Sequence, residues 1–255
     1  MRRIPEGQTE LVPAMQVLTR CPLFKGLERE GMLAFSGLAR THVFAEGSEV
    51  YAEGDVSDGL WILAKGRVRL HHADAAGRYH VVRFHAAGSI LNLAAVIDGR
   101  PLTTTASTLD EVVAVCIPSE ELLAMGRRYW AVIGNAMNLL CLEIRQRDVA
   151  SAVGALKDAR GRIICVLLQM VREFGVPVNG GIRIDYQLSR QDIAEQAGVR
   201  VETAVRALSE LRSLGAVQTN NQFLDILDVD TLRKETECAD CELDCAVFNQ
   251  KLVGV

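Results

Sequence analysis

The most constraining feature of the sequence is a helix, turn and helix pattern that begins at Ser189. Ser189 is placed to cap a short helix containing Arg190 to Gln196, and Asp192 stands where its side chain can bond back to the cap. Ala197-Gly198-Val199 then supplies a turn. The pattern predicts two short helices joined through a glycine.

The residues that follow complete a recognisable unit. A second helix is predicted from about Val201 to Leu214. Residues 216–227 alternate enough to form a two-stranded hairpin, with its turn at Asn220-Asn221. Two short helices followed by a hairpin predict a winged helix-turn-helix.

The N-terminal half has a different character. From about Thr41 to Pro118 it contains short β-type runs separated by glycines. Many short strands at regular spacing are typical of a barrel or sandwich, because glycines allow the tight turns between them. This pattern predicts a β-barrel, and a barrel that binds no ligand fits it equally well.

A long helix is predicted between these two parts. Ile133, Met137, Leu140 and Ile144 recur at spacings of four, three and four residues. Such a seam can lie against its own domain, but on a long helix between two domains it favours pairing with a second copy. We therefore expect a homodimer with two-fold symmetry.

These elements predict an α+β chain. We expect a β-barrel sensor domain over residues 1–125, a dimerisation helix over 126–156 and a winged helix-turn-helix DNA-binding domain over 157–230. Residues 231–255 form a cysteine-containing tail. With no apolar run long enough to cross a bilayer, we expect a cytoplasmic protein without membrane contact.

Charge restricts how the chain can contact nucleic acid. The formal net charge is −4, and residues 183–212 contain five basic and five acidic side chains. Indiscriminate attraction to phosphate needs a strongly basic surface, so any DNA contact must depend on the placement of individual side chains.

The helix-turn-helix residues resemble the DNA-reading signature of CRP/FNR transcription regulators. The similarity is strongest from Ser189 through Gly198 and continues over Val201-Glu202-Thr203, Arg206 and the stretch from Leu208 to Gly215. The predicted barrel, with its short strands separated by glycines, is similar to the cyclic-nucleotide-binding-like sensor domain of that family. The resemblance implies a dimeric regulator that binds an inverted repeat in double-stranded DNA and acts on RNA polymerase.

The resemblance also implies roles for six residues. Glu202 would accept from a cytosine amino group, and Arg206 would pair with guanine in the major groove. Arg190, Gln191 and Thr203 would hold phosphates, while Val201, like Val205, could contact a thymine methyl group. The alternative is that Glu202 and Arg206, four residues apart on a helix, form an ordinary surface ion pair.

The sensor lacks the residues that the cyclic-nucleotide branch of the family uses. Where that branch has a glutamate for the ribose and an arginine-serine pair for the phosphate, this chain has Gly88-Ser89 and Thr104-Thr105. A buried phosphate without its arginine would be costly. We therefore expect that cyclic AMP is not the signal.

The C-terminal tail contains three closely spaced cysteines, Cys238, Cys241 and Cys245. A short loop with such spacing can place several thiolates around one inorganic centre. A cysteine group at this end resembles the Bacillus-type iron–sulfur branch of the family, which implies a 4Fe-4S cluster and a redox- or oxygen-responsive regulator. Asp158, Asp148, Glu143 or Asp240 could supply a fourth ligand.

Other interpretations of the signal remain open. The tail could bind a structural zinc ion or carry unliganded thiols, and a histidine of the barrel could bind haem as a gas sensor. We expect His71 and His72 to be exposed at a turn and Cys141 and Cys165 to be small core side chains. No catalytic motif is recognisable in the sequence, so we do not expect an enzyme.

Overall fold

The computed structural model describes residues 13–73, 79–220 and 222–236. These residues form two compact units. One contains the described chain up to Leu70 together with His85–Leu139, and the other contains His71–Phe84 together with the described chain from Leu140 onward.

The β-structure of the N-terminal part precedes the long helix and the helix-turn-helix, as predicted, although two short helices and a 3-10 turn come before the first strand. The helices are α1 (Ala14–Arg20), a 3-10 turn (Pro22–Phe24), α2 (Arg29–Leu38), α3 (Leu93–Asp98), α4 (Ser119–Arg128), α5 (Trp130–Leu156), α6 (Ala159–Phe174), α7 (Arg190–Ala197), α8 (Val201–Ser213) and α9 (Val229–Glu235). The strands are β1 (Arg40–Phe44), β2 (Glu49–Tyr51), β3 (Gly59–Lys65), β4 (Val68–Ala73), β5 (Tyr79–His85), β6 (Thr105–Thr108), β7 (Val112–Pro118), β8 (Gly175–Val178), β9 (Gly181–Ile184), β10 (Val217–Asn220) and β11 (Phe223–Ile226).

The predicted fold class is confirmed, with one refinement of the N-terminal domain. Its strands form two sheets, of order β1-β7-β3 and β2-β6-β4-β5, in a jelly-roll-like arrangement rather than one closed barrel. Aromatic side chains fill part of the space within these strands, where the buried Trp61 lies 5.6 Å from the ring of Phe44 and Tyr51 packs against the same core cluster.

A tight turn between β3 and β4 depends on Gly66. Its φ angle is +85°, and a Cβ atom there would collide with the carbonyl oxygen of Glu111. A side chain at this position would be strained both by the backbone conformation and by the lack of space. Glycine is therefore required for the return of the chain from β3 into β4.

The long helix predicted before the C-terminal domain is α5, which begins at Trp130. Val132 and Ala136 lie on its buried side. The side chains of Met137 and Ile144 are 58% and 59% exposed in the single chain. Met137 and Ile144 of the seam therefore lie on a different side of the helix from Val132 and Ala136, whereas Ile133 and Leu140 are half-buried. No helix among the described residues is long and apolar enough to span a membrane.

The C-terminal part contains the predicted helix-turn-helix, but its sheet is larger than expected. Strands β8 and β9 join the wing in a four-stranded sheet of order β10-β11-β9-β8. A proline such as Pro177 favours a loop when only the local sequence is considered, but this segment is a strand. Pro177 lies on β8 opposite Ile182, at the edge of the sheet, where the missing N–H of a proline can be tolerated.

Two smaller predictions also need correction. His71 is not exposed at a turn, because it lies within β4 and is buried, whereas His72 beside it is exposed as expected. Cys141 is exposed and Cys165 is half-buried, so neither is a fully buried core side chain. The apolar sequence around them did not indicate which side of the helix each one faces.

Candidate nucleic-acid interface

The first helix of the motif is fixed at both ends by local hydrogen bonds. The Ser189 hydroxyl accepts from the backbone N–H of Asp192, and the Asp192 carboxylate accepts from the backbone N–H of Ser189, at 3.0 and 2.9 Å. Gly198 ends α7 in the left-handed conformation with a φ of +61°. This capping box and glycine turn, both predicted from the sequence, set the direction in which α8 leaves α7.

One side of α8 anchors the helix, which leaves the other side accessible. Ala204, Ala207, Leu208 and Leu211 are buried. The exposed residues of the helix include Glu202, Val205, Arg206 and Ser209. Because side chains three and four positions apart share a helix face, the predicted base-reading residues lie together on the solvent side.

Glu202 and Arg206 do not form the surface ion pair that was the alternative interpretation. Within residues 13–73, 79–220 and 222–236, neither side chain takes part in a salt bridge or a side-chain hydrogen bond. Both groups are exposed and available for an external partner.

The other four predicted contact residues differ in accessibility. Gln191 is exposed, and its amide donates to the Glu195 carboxylate one turn further along α7. Arg190, Val201 and Thr203 are half-buried.

Two residues that sequence reasoning missed, Arg212 on α8 and Thr219 on the wing, lie beside Arg190. Arg190 and Arg212 both donate to the hydroxyl of Thr219 on β10, at 3.2 and 3.0 Å. Burial, followed by the like charge of Arg212, lowers the pKa of Arg190 from its usual value, although a guanidinium stays protonated at neutral pH. Two adjacent positive charges at the junction of α7, α8 and the wing form a favourable place for a phosphate.

The predicted metal ligands Cys238, Cys241 and Cys245 lie outside the described residues, as does Asp240. Of the other suggested ligands, Asp158 caps α6 by accepting from the backbone N–H of Gly161 at 2.7 Å. Glu143 pairs with Arg147 at 2.8 Å, and Asp148 is exposed. In the described part of the chain, no three histidine, cysteine or acidic side chains are grouped as a metal site.

Comparisons with known proteins identify both parts of the chain. Residues 41–129 match the cyclic nucleotide-binding domain, and residues 161–235 match the Crp-like helix-turn-helix domain. Both parts of the chain are therefore similar to domains of one class of protein, the CRP-type transcription regulators.

Individual relatives agree with this class. A CRP-like cAMP-activated global transcriptional regulator of Mycobacterium tuberculosis is 25% identical over 86% of this chain and 98% of its own length. The nitrogen fixation regulation protein FixK of Rhizobium meliloti is 26% identical over 81% of this chain and 92% of its own. A solved CRP-family transcriptional regulator from Thermus thermophilus, 22% identical, shares the fold with a TM-score of 0.65 over 80% of this chain and 100% of that chain.

Proposed function

We propose that the protein binds a specific inverted repeat in double-stranded DNA as a homodimer and regulates transcription by contacting RNA polymerase. The observation that carries this proposal is the exposed side of α8. It presents Glu202 and Arg206 together, with no side-chain partner among the described residues, on a helix that a capping box, a glycine turn and a buried opposite side hold in place.

The side chains of this helix divide by chemistry into base readers and phosphate contacts. Glu202 accepts from a cytosine amino group, and Arg206 donates to guanine O6 and N7. The exposed Val205 contacts a thymine methyl group, and the half-buried Val201 is the second apolar side chain proposed for such a contact. Phosphates are held by Gln191 and Thr203 and by the neighbouring guanidinium groups of Arg190 and Arg212.

The exposed apolar seam of α5 supports the dimer. Met137 and Ile144 are large apolar side chains that a single chain leaves in water, and a second copy of the helix would cover them. A two-fold pair presents two α8 helices to successive major grooves about 34 Å apart, which is why the DNA site should be an inverted repeat.

Selection from a random DNA library, followed by binding measurements on the selected site, tests this function. We expect an inverted repeat with half-sites about one helical turn apart and a specific affinity at least about a thousandfold above that for unrelated DNA. Glu202→Gln should reduce preference at one base pair in each half-site. Ser209→Ala, also on the exposed side of α8, serves as a matched control. Equal affinity for all sequences would contradict the proposal.

The signal in this proposal is oxygen or redox state rather than cyclic AMP. Ser89 stands where a ribose-binding glutamate is expected, and Thr105 already accepts a hydrogen bond from the backbone N–H of Glu53 at 3.0 Å. Cys238, Cys241 and Cys245 would hold a 4Fe-4S cluster, which supplies oxygen-sensitive redox chemistry when bound.

Two contacts of the residues just before the cysteine segment connect that segment to the DNA-binding part. Arg160 at the start of α6 pairs with Glu235 at the end of α9 at 2.6 Å. Lys157, just before α6, donates to the carbonyl oxygen of Thr236 at 2.5 Å. The chain therefore enters the cysteine segment from a point fixed to the start of α6, whose other contacts include α7 and α8.

Anaerobic purification tests the cluster. The protein should be brown, with broad visible absorbance and about stoichiometric iron and sulfide. Serine at Cys238, Cys241 or Cys245 should abolish the colour, whereas Cys21→Ser and Cys141→Ser serve as matched controls. Colourless protein with zinc, a sharp Soret band, or metal-free protein with full DNA binding would each contradict the cluster.

Calorimetry with cyclic AMP tests the other part of the proposed signal. It should show no binding, and saturable binding of cyclic AMP would contradict the proposal.

A further inference from the structure

A cavity of about 320 Å³ lies within the second compact unit. Its walls come from β5, the C-terminal half of α5, α6 and the end of α7 with the following turn. None of the six residues predicted to contact DNA lines it, nor do Ser89 or Thr105 of the sensor. The volume is at the lower end of the range of small-molecule sites, about 300–1,000 Å³.

Two arginines of the cavity wall bond to neutral oxygens. Arg83 donates to the side-chain oxygen of Gln146 at 3.1 Å. Arg162 donates to the carbonyl oxygens of Gly154 and Gly198, at 3.2 and 3.5 Å. Among the described residues, neither guanidinium forms a salt bridge. The wall therefore contains two positive charges without a directly bonded carboxylate.

The acidic groups near Arg83 already have partners of their own. Burial is the main cause that lowers the pKa of Arg83, with Glu143 and Glu173 acting in the opposite direction. Glu143 bonds to Arg147 at 2.8 Å, and Glu173 bonds to Arg172 at 2.7 Å. Because Arg147 and Arg172 also repel the Arg83 charge, an anion inside the cavity would find an incompletely balanced positive site.

Three buried polar atoms of the wall have no hydrogen-bond partner within the described structure. They are Nε of Arg162, Oε2 of Glu195 and Oε1 of Gln196. Buried polar groups are nearly always paired, so such a group indicates a missing water, ion or ligand. Apolar wall residues, including Val153 and Val166, lie in the same cavity.

We propose that this cavity binds a small organic anion that carries a carboxylate or phosphate group together with hydroxyl or amino donors. The anionic group pairs with Arg83 and Arg162, the donors bond to Glu195 and Gln196, and the carbon skeleton packs against the valines. The apolar part of the wall favours an occupant with a carbon skeleton over water alone.

The position of the cavity connects it to DNA recognition. Gly198 lines the wall and is also the turn residue that sets the direction of α8. An occupant that bonds to Arg162, whose guanidinium reaches the Gly198 carbonyl, therefore biases the placement of the recognition helix. This regulatory part rests on the proposed DNA function, whereas binding of the anion does not.

Calorimetric titration of the full chain without DNA tests the site. The probes are citrate, glutamate and ribose 5-phosphate, with inorganic phosphate as the bare anion. At least one organic probe should bind with a Kd below about 100 µM, more tightly than inorganic phosphate. Arg83→Gln and Arg162→Gln should each weaken that binding at least about tenfold, because each removes a charged donor. Arg100→Gln, an exposed arginine outside the cavity, should leave it unchanged.

A space-filling variant keeps the result interpretable if Arg162→Gln fails to fold. Val153→Phe should occupy the cavity and abolish binding while the circular dichroism spectrum stays that of the wild type. Failure of all three organic probes to bind, binding no tighter than that of inorganic phosphate, or equal binding by the arginine variants would overturn the site. A bound probe that leaves affinity for the selected DNA unchanged would overturn its regulatory role alone.

Discussion

The guanidinium of Arg183 and the carboxylate of Asp225 face each other across the neighbouring strands β9 and β11 and form two hydrogen bonds, of 2.6 and 2.9 Å. Asp225 is buried, and Arg183 is about a quarter exposed. The hydrogen bonds from Arg183 lower the pKa of Asp225 below its usual range, although burial acts in the opposite direction. This pair joins the wing to the strands that precede the helix-turn-helix.

Removal of the charge at Asp225 should destabilise the C-terminal domain. Asp225→Asn should lower the free energy of unfolding by about 1.5–3 kcal/mol at pH 7, because hydrogen bonds to a charged group are lost at a buried position. Urea unfolding followed by circular dichroism measures the change. Asp98→Asn on the exposed end of α3 should change stability by less than about 0.5 kcal/mol.

The same pair predicts a dependence on pH. Because the folded-state pKa of Asp225 is lowered, its stabilisation is fully present above the unfolded-state pKa of about 3.9 and is lost as pH falls through the folded-state pKa. The difference in stability between the wild type and Asp225→Asn should therefore be constant from pH 7 to about pH 5 and should narrow only in stronger acid. A difference that disappears already at pH 6 would contradict this assignment.

Replacement of Arg206 should alter recognition rather than general affinity. Arg206→Ala should cost about 1–3 kcal/mol in binding the selected DNA and should reduce preference at a single base pair in each half-site. Arg212→Ala, at the junction with the wing, should instead weaken binding to all sequences and reduce the slope of affinity against salt. Titrations at several salt concentrations separate the two effects, and uniform weakening by Arg206→Ala would make it a phosphate contact.

The sequence predicted those parts of the interface that depend on local chemistry. Ser189, Asp192 and Gly198 act within one turn of helix, so their spacing alone indicated the caps that the structure contains. The convergence of Arg190 and Arg212 on Thr219 was not predictable in this way. It depends on how the wing packs against two helices, and residues distant along the chain leave no periodic signal.

The same distinction explains the errors. The segment from Gly175 to Val178 contains a proline, which favours a loop in a local interpretation, whereas pairing with β9 makes it an edge strand. His71 and His72 are chemically alike and point to opposite faces of β4, and only His71 is covered by residues from elsewhere in the fold. Sheet partners and strand orientation therefore decided what local residue preferences could not.

Charges on the α5 seam should separate the two protomers of the proposed dimer. The double variant Met137→Glu, Leu140→Glu would place unpaired carboxylates in the contact between the helices, so the molar mass measured by light scattering should fall by half. Ala131→Glu on an exposed part of the same helix is the matched control and should stay dimeric. A double variant that remains dimeric and folded would show that the seam does not form the subunit contact.

The ion pair between Arg160 and Glu235 should be needed for oxidation of the proposed cluster to change DNA affinity. It should not be needed for the cluster to assemble. Glu235→Gln would remove the carboxylate that Arg160 contacts at 2.6 Å, so the chain before the cysteines would be less firmly fixed to the start of α6. Anaerobic iron content should equal that of the wild type, because none of the three cysteines is changed. The change in DNA affinity on exposure to oxygen, measured by fluorescence anisotropy, should be smaller than in the wild type. Asp230→Asn removes an exposed charge from the same helix and should leave the oxygen response intact. An undiminished response in Glu235→Gln would mean that the tail acts through another contact.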